Sequence, residues 1–125
     1  MKNKLDARGK GEYFYDLEDD FLIVKIKNRE YKESLEFDNL VVDIDTKGFI
    51  TGFRIFDASQ VFKLEKNTLK HIKEFEFHTQ IKDKLLSISL NFKISNGKNQ
   101  VIQQGQDFVR EAPLTKESEV ICSVA

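Results

Sequence analysis

"EFEFHTQIKDKLLSISLNFKI", residues 74–94, alternates apolar and polar side chains twice over, with one short polar break between the two runs. Phe75, Phe77, Thr79 and Ile81 fall on one face of an extended chain; Glu74, Glu76, His78, Gln80 and Lys82 fall on the other. After the break, Leu86, Ile88, Leu90, Phe92 and Ile94 share a face, opposite Leu85, Ser87, Ser89, Asn91 and Lys93. A period of two is the signature of strands that bury one face only, so this stretch predicts an antiparallel sheet with one dry side.

The chain on either side extends that pattern. Downstream, Asn96-Gly97 is a strong hairpin signal. "QVIQQGQDFVRE" (100–111) returns as a weaker strand, bulged at Gly105, and "SEVICSVA" (118–125) follows Pro113 as a last strand. Upstream, "DASQVFKLEKNTLKHIK" (57–73) changes period, with Val61, Phe62, Leu64, Leu69 and Ile72 on one helical stripe. Ser59 is placed to cap a first short helix, and Asn67 or Thr68 a second turn. Before that, "LVVDID" (40–45) and "FITGFRIFD" (49–57) flank Thr46-Lys47-Gly48, which fits a type I turn ending in a left-handed glycine. Gly52 marks a bulge or a close backbone approach in the second of these strands. "EYFYD" (12–16) and "FLIVKIK" (21–27) make a hairpin across "LEDD". A charged connection (28–39) carries at most a short strand around Leu35–Phe37.

The resulting expectation is an α+β domain over 12–125, mainly antiparallel sheet. Its seven or eight strands run in the order four strands, helix, four strands. The first β-rich part is 12–60, one short helical segment (59–73) packs on the sheet, and the second β-rich part is 74–125. Residues 1–11, polar with Gly9 and Gly11, are expected to be a flexible tail. The hairpins at 12–26 and 74–90 look alike, as an internal duplication would, although any two hairpins do.

Composition narrows the function. The 125 residues are 40% hydrophobic and 33% charged, with eleven Phe and no Trp. That describes a solvated globular domain whose core rings need no hydrogen-bond partners. The lone Cys122 reads as a small buried hydrophobe, since "EVICSVA" offers no basic niche to activate a thiol. No apolar run follows the charges of the N-terminus, and none reaches the roughly 20 residues of a membrane span. A cytoplasmic setting without membrane contact is the expectation. Residues 11–65 carry seven basic and thirteen acidic side chains, a net −6, against +3 over 1–10 and +2 over 66–125. Phosphate binding is disfavoured there, so no nucleic acid is expected; a basic protein surface suits this half better. The Tyr13-Phe14-Tyr15 run could stack bases, but in acidic surroundings core packing is the better reading.

"YDLEDDFLIV" followed by "VVDIDTKGFITGFRIFDAS" resembles a family of small prokaryotic domains, the domain of unknown function 2283 family. The matching positions are Tyr15, Asp16, Glu18, Asp20, Leu22, Val42, Asp43, Asp45, Gly48, Gly52, Ile55, Ala58 and Ser59. Leu17 stands where a proline is usual, and Phe53-Arg54 replaces Ile-Glu. The resemblance covers about 12–60. It implies protein binding rather than chemistry, since some members look like partners in toxin–antitoxin gene pairs.

The candidate sites are few. Asp43, Asp45 and Gly48 suggest a calcium loop, but Thr46 and Lys47 fill its middle and no third carboxylate follows. The structural alternative has Asp45 bonding turn amides while Gly48 takes a positive φ. Asp16 and Asp20, with Glu18 and Asp19, occupy the other turn. If both turns lie at one end of the sheet, Asp16, Asp20, Asp43 and Asp45 form an acidic rim that could hold a divalent cation. His71 and His78 lack a nucleophile and an orienting partner at useful spacing, so no catalytic residues and no cofactor are expected. The function expected is a non-catalytic interaction or regulatory module, antitoxin-like, for a basic partner. A metal-dependent site on the acidic rim is the alternative. A homodimer through an exposed strand 118–125 is also expected.

Overall fold

The computed structural model describes residues 3–95, 101–113 and 116–124. Five strands come first: β1 (Asn3–Asp16), β2 (Phe21–Ile26), β3 (Tyr31–Phe37), β4 (Leu40–Asp45) and β5 (Ile50–Phe56). Two short helices follow, α1 (Ala58–Phe62) and α2 (Lys66–Leu69). Four strands complete the chain: β6 (Ile72–Lys82), β7 (Leu85–Ser95), β8 (Val101–Glu111) and β9 (Ser118–Val124). All nine lie in one sheet, in the order β3-β4-β5-β2-β1-β9-β6-β7-β8.

This corrects the expected fold class. The described residues are 70% strand and 8% helix, a single curled mixed sheet rather than a four-strand, helix, four-strand antiparallel one. The sheet is mixed because β1 and β9 pair parallel, Leu5 opposite Val120 and Ala7 opposite Cys122. The fifth strand comes from the charged connection. β3 lies at the edge of the sheet, where Lys32, Glu33 and Glu36 can stay solvated, so its polarity does not prevent it from pairing with β4. The single helical segment is two helices because Lys63 turns left-handed (φ 56°) after Phe62. Residues 3–11, expected in a flexible tail, begin β1. Gly9 (φ 78°) sits in an irregularity between Ala7 and Gly11, and its amide donates to Ser123 Oγ at 3.0 Å.

The alternation at 74–94 is seen in full. Phe75, Phe77, Thr79, Ile81, Leu86, Ile88, Leu90, Phe92 and Ile94 are all buried. The link between β6 and β7 is two residues, Asp83 and Lys84, both at positive φ (53° and 62°), as a type I′ hairpin demands. The Asn96-Gly97 turn lies outside the described residues, although β7 and β8 pair antiparallel on either side of it, Ser95 opposite Val101. Gly105 carries no bulge and pairs regularly with Asn91. Gly52 does abut a register shift, with Thr51 unpaired between Asp43–Gly52 and Ile44–Ile50. It is also closely approached: an added Cβ would lie 2.9 Å from the Val24 carbonyl oxygen.

The curl brings distant strands face to face. Phe53 of β5 meets Phe77 of β6 edge-on at 5.2 Å, although three strands separate them in the sheet. Phe62 of α1 meets Phe92 of β7 likewise at 5.0 Å. Each edge-on pair adds about 0.5–1.5 kcal/mol beyond the area that it buries. The Tyr13 hydroxyl donates to the Ile72 carbonyl, and the Tyr13 ring meets Phe75 edge-on at 5.2 Å. The concave side is therefore the core, and the helices close over it. The convex side faces solvent.

Candidate functional site

The four candidate carboxylates are not one rim. β2 pairs with β5 with Phe21 opposite Phe56 and Lys25 opposite Gly52. The Asp16–Asp20 turn therefore sits at the Phe56 end of β5, and the Asp45–Phe49 turn at its Ile50 end. Gly52, the partner of Asp43, is four residues from Phe56, roughly 13 Å along the strand. The acidic-rim arrangement fails because antiparallel pairing sends alternate turns to opposite ends of a sheet. Among the described residues no three His, Cys, Asp or Glu gather as a metal cluster.

Each of these carboxylates has protein partners. Asp45 is 1% exposed. Its Oδ1 accepts the amides of Lys47 and Phe49, both at 2.9 Å, and its Oδ2 accepts Arg29 Nε (2.9 Å) and Nη2 (2.6 Å). Arg29 also lies over the Phe49 ring at 5.7 Å. Gly48 has φ 86°, and its amide donates to the Asp45 carbonyl at 3.0 Å. Asp43 Oδ1 accepts Ser34 Oγ (2.7 Å) and Arg54 Nη2 (2.9 Å) on the convex face. Arg54 thus neutralises a carboxylate on the neighbouring strand. Asp16 Oδ1 accepts the Asp19 amide at 3.1 Å, closing the first turn.

Asp20 is the residue whose role sequence reasoning missed. It is 6% exposed and has a positive φ of 51°. Helix α1 begins after Asp57, itself left-handed, which gives no side-chain cap. Asp20 supplies one from the opposite end of the motif. Its carboxylate accepts the Ser59 amide (3.0 Å), Ser59 Oγ (2.5 Å) and the Tyr15 hydroxyl (2.6 Å), while its carbonyl accepts the Ala58 amide (3.0 Å). Ser59 is therefore capped rather than capping. Burial works to raise the Asp20 pKa, but the Ser59 hydroxyl, the Tyr15 hydroxyl, the Ser59 amide and the Lys66 charge together hold it below its ordinary value. Burial, and then the bond and charge of Asp20, push the Tyr15 phenol up.

The histidines do not meet. His78 Nε2 lies 2.8 Å from Glu119 Oε1 on the convex face of the second half, and His71 sits at the end of the helical segment. Cys122 is buried, with its thiol pushed up to about 12 by burial, which suits a core residue and not a nucleophile.

Among the charged residues that the first half presents to solvent lie several apolar ones. Register places Phe14, Ile23, Arg54 and Val41 in one row across the convex face, and Asp16, Phe21 and Phe56 in the next. Phe14 is 57% exposed and Phe56 39%, and Phe56 stacks on Phe21 at 4.9 Å. The expectation that the Tyr13-Phe14-Tyr15 run packs in the core therefore fails at Phe14, whose parity is opposite to that of its two neighbours. Glu12 and Glu36 share the convex face by register, Lys25 pairs with Glu12 at 3.3 Å, and Glu18 and Asp19 stand in the turn beside Phe21. "FLIVKI" conceals the patch, because its inward residues (Leu22, Val24, Ile26) and two of its outward ones (Phe21, Ile23) are all apolar.

Residues 12–59 match the family described as "Protein of unknown function (DUF2283)". The family match does not cover the rest of the chain. Two archaeal proteins align over longer spans. One, of Methanosarcina mazei, is named "Putative hypoxanthine phosphoribosyltransferase" and is 29% identical over 96 residues, 77% of each chain. The other, an uncharacterized protein of Methanocaldococcus jannaschii, is 29% identical over 105 residues, 83% of this chain and 84% of its own. No solved structure matches this chain. Tyr15, Asp20, Ala58 and Ser59, all within the matched region, are the four residues that tie the first turn to α1. Among the described residues no helix is long and apolar enough to cross a membrane.

Proposed function

We propose that this small domain is a non-catalytic interaction module, and that the convex face of its first five strands is the surface it offers. The observation that carries the reading is the partly exposed apolar patch of Phe14, Phe21, Ile23 and Phe56 on the convex face of a net acidic part of the chain. Aromatic side chains at the centre of a polar rim are the usual anatomy of a protein contact. The −6 charge of residues 11–65 favours a basic partner. The antitoxin-like role implied by the family resemblance is one instance of such a module.

Chemistry at the acidic turns has less support. Asp45 and Asp20 are saturated by protein donors, and their turns lie at opposite ends of β5. The phosphoribosyl transfer named for the Methanosarcina relative draws no support from these turns, whose carboxylates already hold protein donors.

Affinity purification from the source cells tests the proposal. A basic protein should co-purify with the wild type and be lost with Phe14→Asp, whose fold circular dichroism should find intact. If no partner co-purifies, and incubation with hypoxanthine and phosphoribosyl diphosphate or with divalent metals gives turnover that Asp43→Asn abolishes, the interaction reading is wrong.

A further inference from the structure

The strand expected to mediate self-association, 118–125, is interior: β9 lies between β1 and β6 and is paired on both sides. The open edges are β3 and β8, and they differ. β3 has seven residues, carries Lys32, Glu33 and Glu36, and is irregular between Tyr31 and Glu33. Short length, charge and irregularity are the features that keep an edge from pairing with another chain. β8 has none of them over most of its length. It runs eleven residues without a register shift, roughly 37 Å, and residues 101–106 carry no charge. Val101 (57% exposed) and Val109 (56%) stand on its convex side.

We infer that β8 is a self-complementary edge and that a second copy of this chain pairs antiparallel with it, joining two sheets into one. The argument is charge placement. The charges of β8, Asp107, Arg110 and Glu111, are all at its C-terminal end. Parallel self-pairing in register would set Asp107 against Asp107. A two-fold axis perpendicular to the sheet runs the strands antiparallel and keeps convex residues opposite convex residues. Centred on Asp107, it again opposes the two aspartates. Centred on Gln106, it overlaps all eleven residues and sets Asp107, Arg110 and Glu111 against Gly105, Ile102 and Val101, so that no like charges meet. One contact must yield, because Arg110 Nη1 donates to the Val109 carbonyl at 2.8 Å across the exposed edge. That bond is at the surface, and a strand-to-strand bond would replace it.

Light scattering coupled to gel filtration tests the inference on the whole chain. The wild type should give twice the 14.6 kDa chain mass at high concentration. In the Gln106-centred register Gln103 faces Val109 of the other copy. Gln103→Glu with Val109→Glu sets like charges together at two places and should weaken association at least tenfold. Gln103→Glu with Val109→Lys makes both contacts complementary and should keep the dimer. Gln106→Cys should link to its own copy under mild oxidation, and buried Cys122 does not compete. A monomeric wild type overturns the inference, as does equal behaviour of the two double variants or a Gln106→Cys protein that does not cross-link.

Discussion

Asp45 and Asp20 are both buried, both bond backbone amides beside a turn, and differ in what completes them. Asp45 takes a guanidinium, Arg29, with the amides of its own turn. Asp20 takes only neutral donors, and the farthest, on Ser59, is 39 residues away. The first organises a local hairpin and needs a counter-charge. The second is a tertiary cap, joining the start of the matched region to its end. Losing a partner should therefore cost most where a buried charge loses its counter-charge.

The largest effect expected is from Arg29→Ala. It leaves the 1%-exposed Asp45 without its cation and should destabilise the fold by about 3–5 kcal/mol in urea unfolding. A loss under about 1 kcal/mol would mean that water replaces the arginine, erasing the contrast.

Asp20→Ala should come next. It strands the Ser59 amide and hydroxyl and the Tyr15 hydroxyl, at about 2–3 kcal/mol, with helix α1 loosened. Asp20 also contributes to the acid limb. Its folded pKa lies below the ordinary 3.8, so its contribution is present above that value and is lost as pH falls through the lower folded one. Stability curves of Asp20→Asn and wild type should converge below pH 3.8; parallel curves would show that Asp20 gains nothing from its ionised form.

Gly48→Ala should cost about 1–2 kcal/mol, from strain at φ 86°. The Lys116 side chain, 2.6 Å from the added Cβ, is flexible enough to move aside. Amide exchange should quicken at Lys47 and Phe49 and not at Ser59, which would separate the local turn from the tertiary cap. The smallest effect is from Asp43→Ala, whose pair with Arg54 is partly exposed (24% and 33%); a change within about 1 kcal/mol is expected in the same melts. A larger one would place Asp43 with the two buried aspartates.

The two sites were unequally legible for the same reason. Asp45, Thr46, Lys47 and Gly48 are contiguous, and turn chemistry can be read from adjacent residues. In sequence Asp20 reads as a metal candidate and Ser59 as a helix cap, and nothing in a linear reading joins them. Phe14 is legible by parity, but two aromatic neighbours give the whole run the look of core.

By itself the sequence determined the strands with a period of two, the buried faces of β6 and β7, the left-handed glycine at 48 and the likeness of its first half to a known family. These follow from side chains within a few residues of one another, where backbone geometry fixes which ones share a face. Only the tertiary structure decided that β3 is a full strand, that residues 3–11 are paired, that β9 lies between β1 and β6, and that the acidic turns stand at opposite ends. Strand order and parallel pairing depend on contacts between residues distant in the chain, at the extreme Ala7 with Cys122. The closure of such contacts leaves no local pattern, because alternation specifies a strand's faces and says nothing of its neighbours.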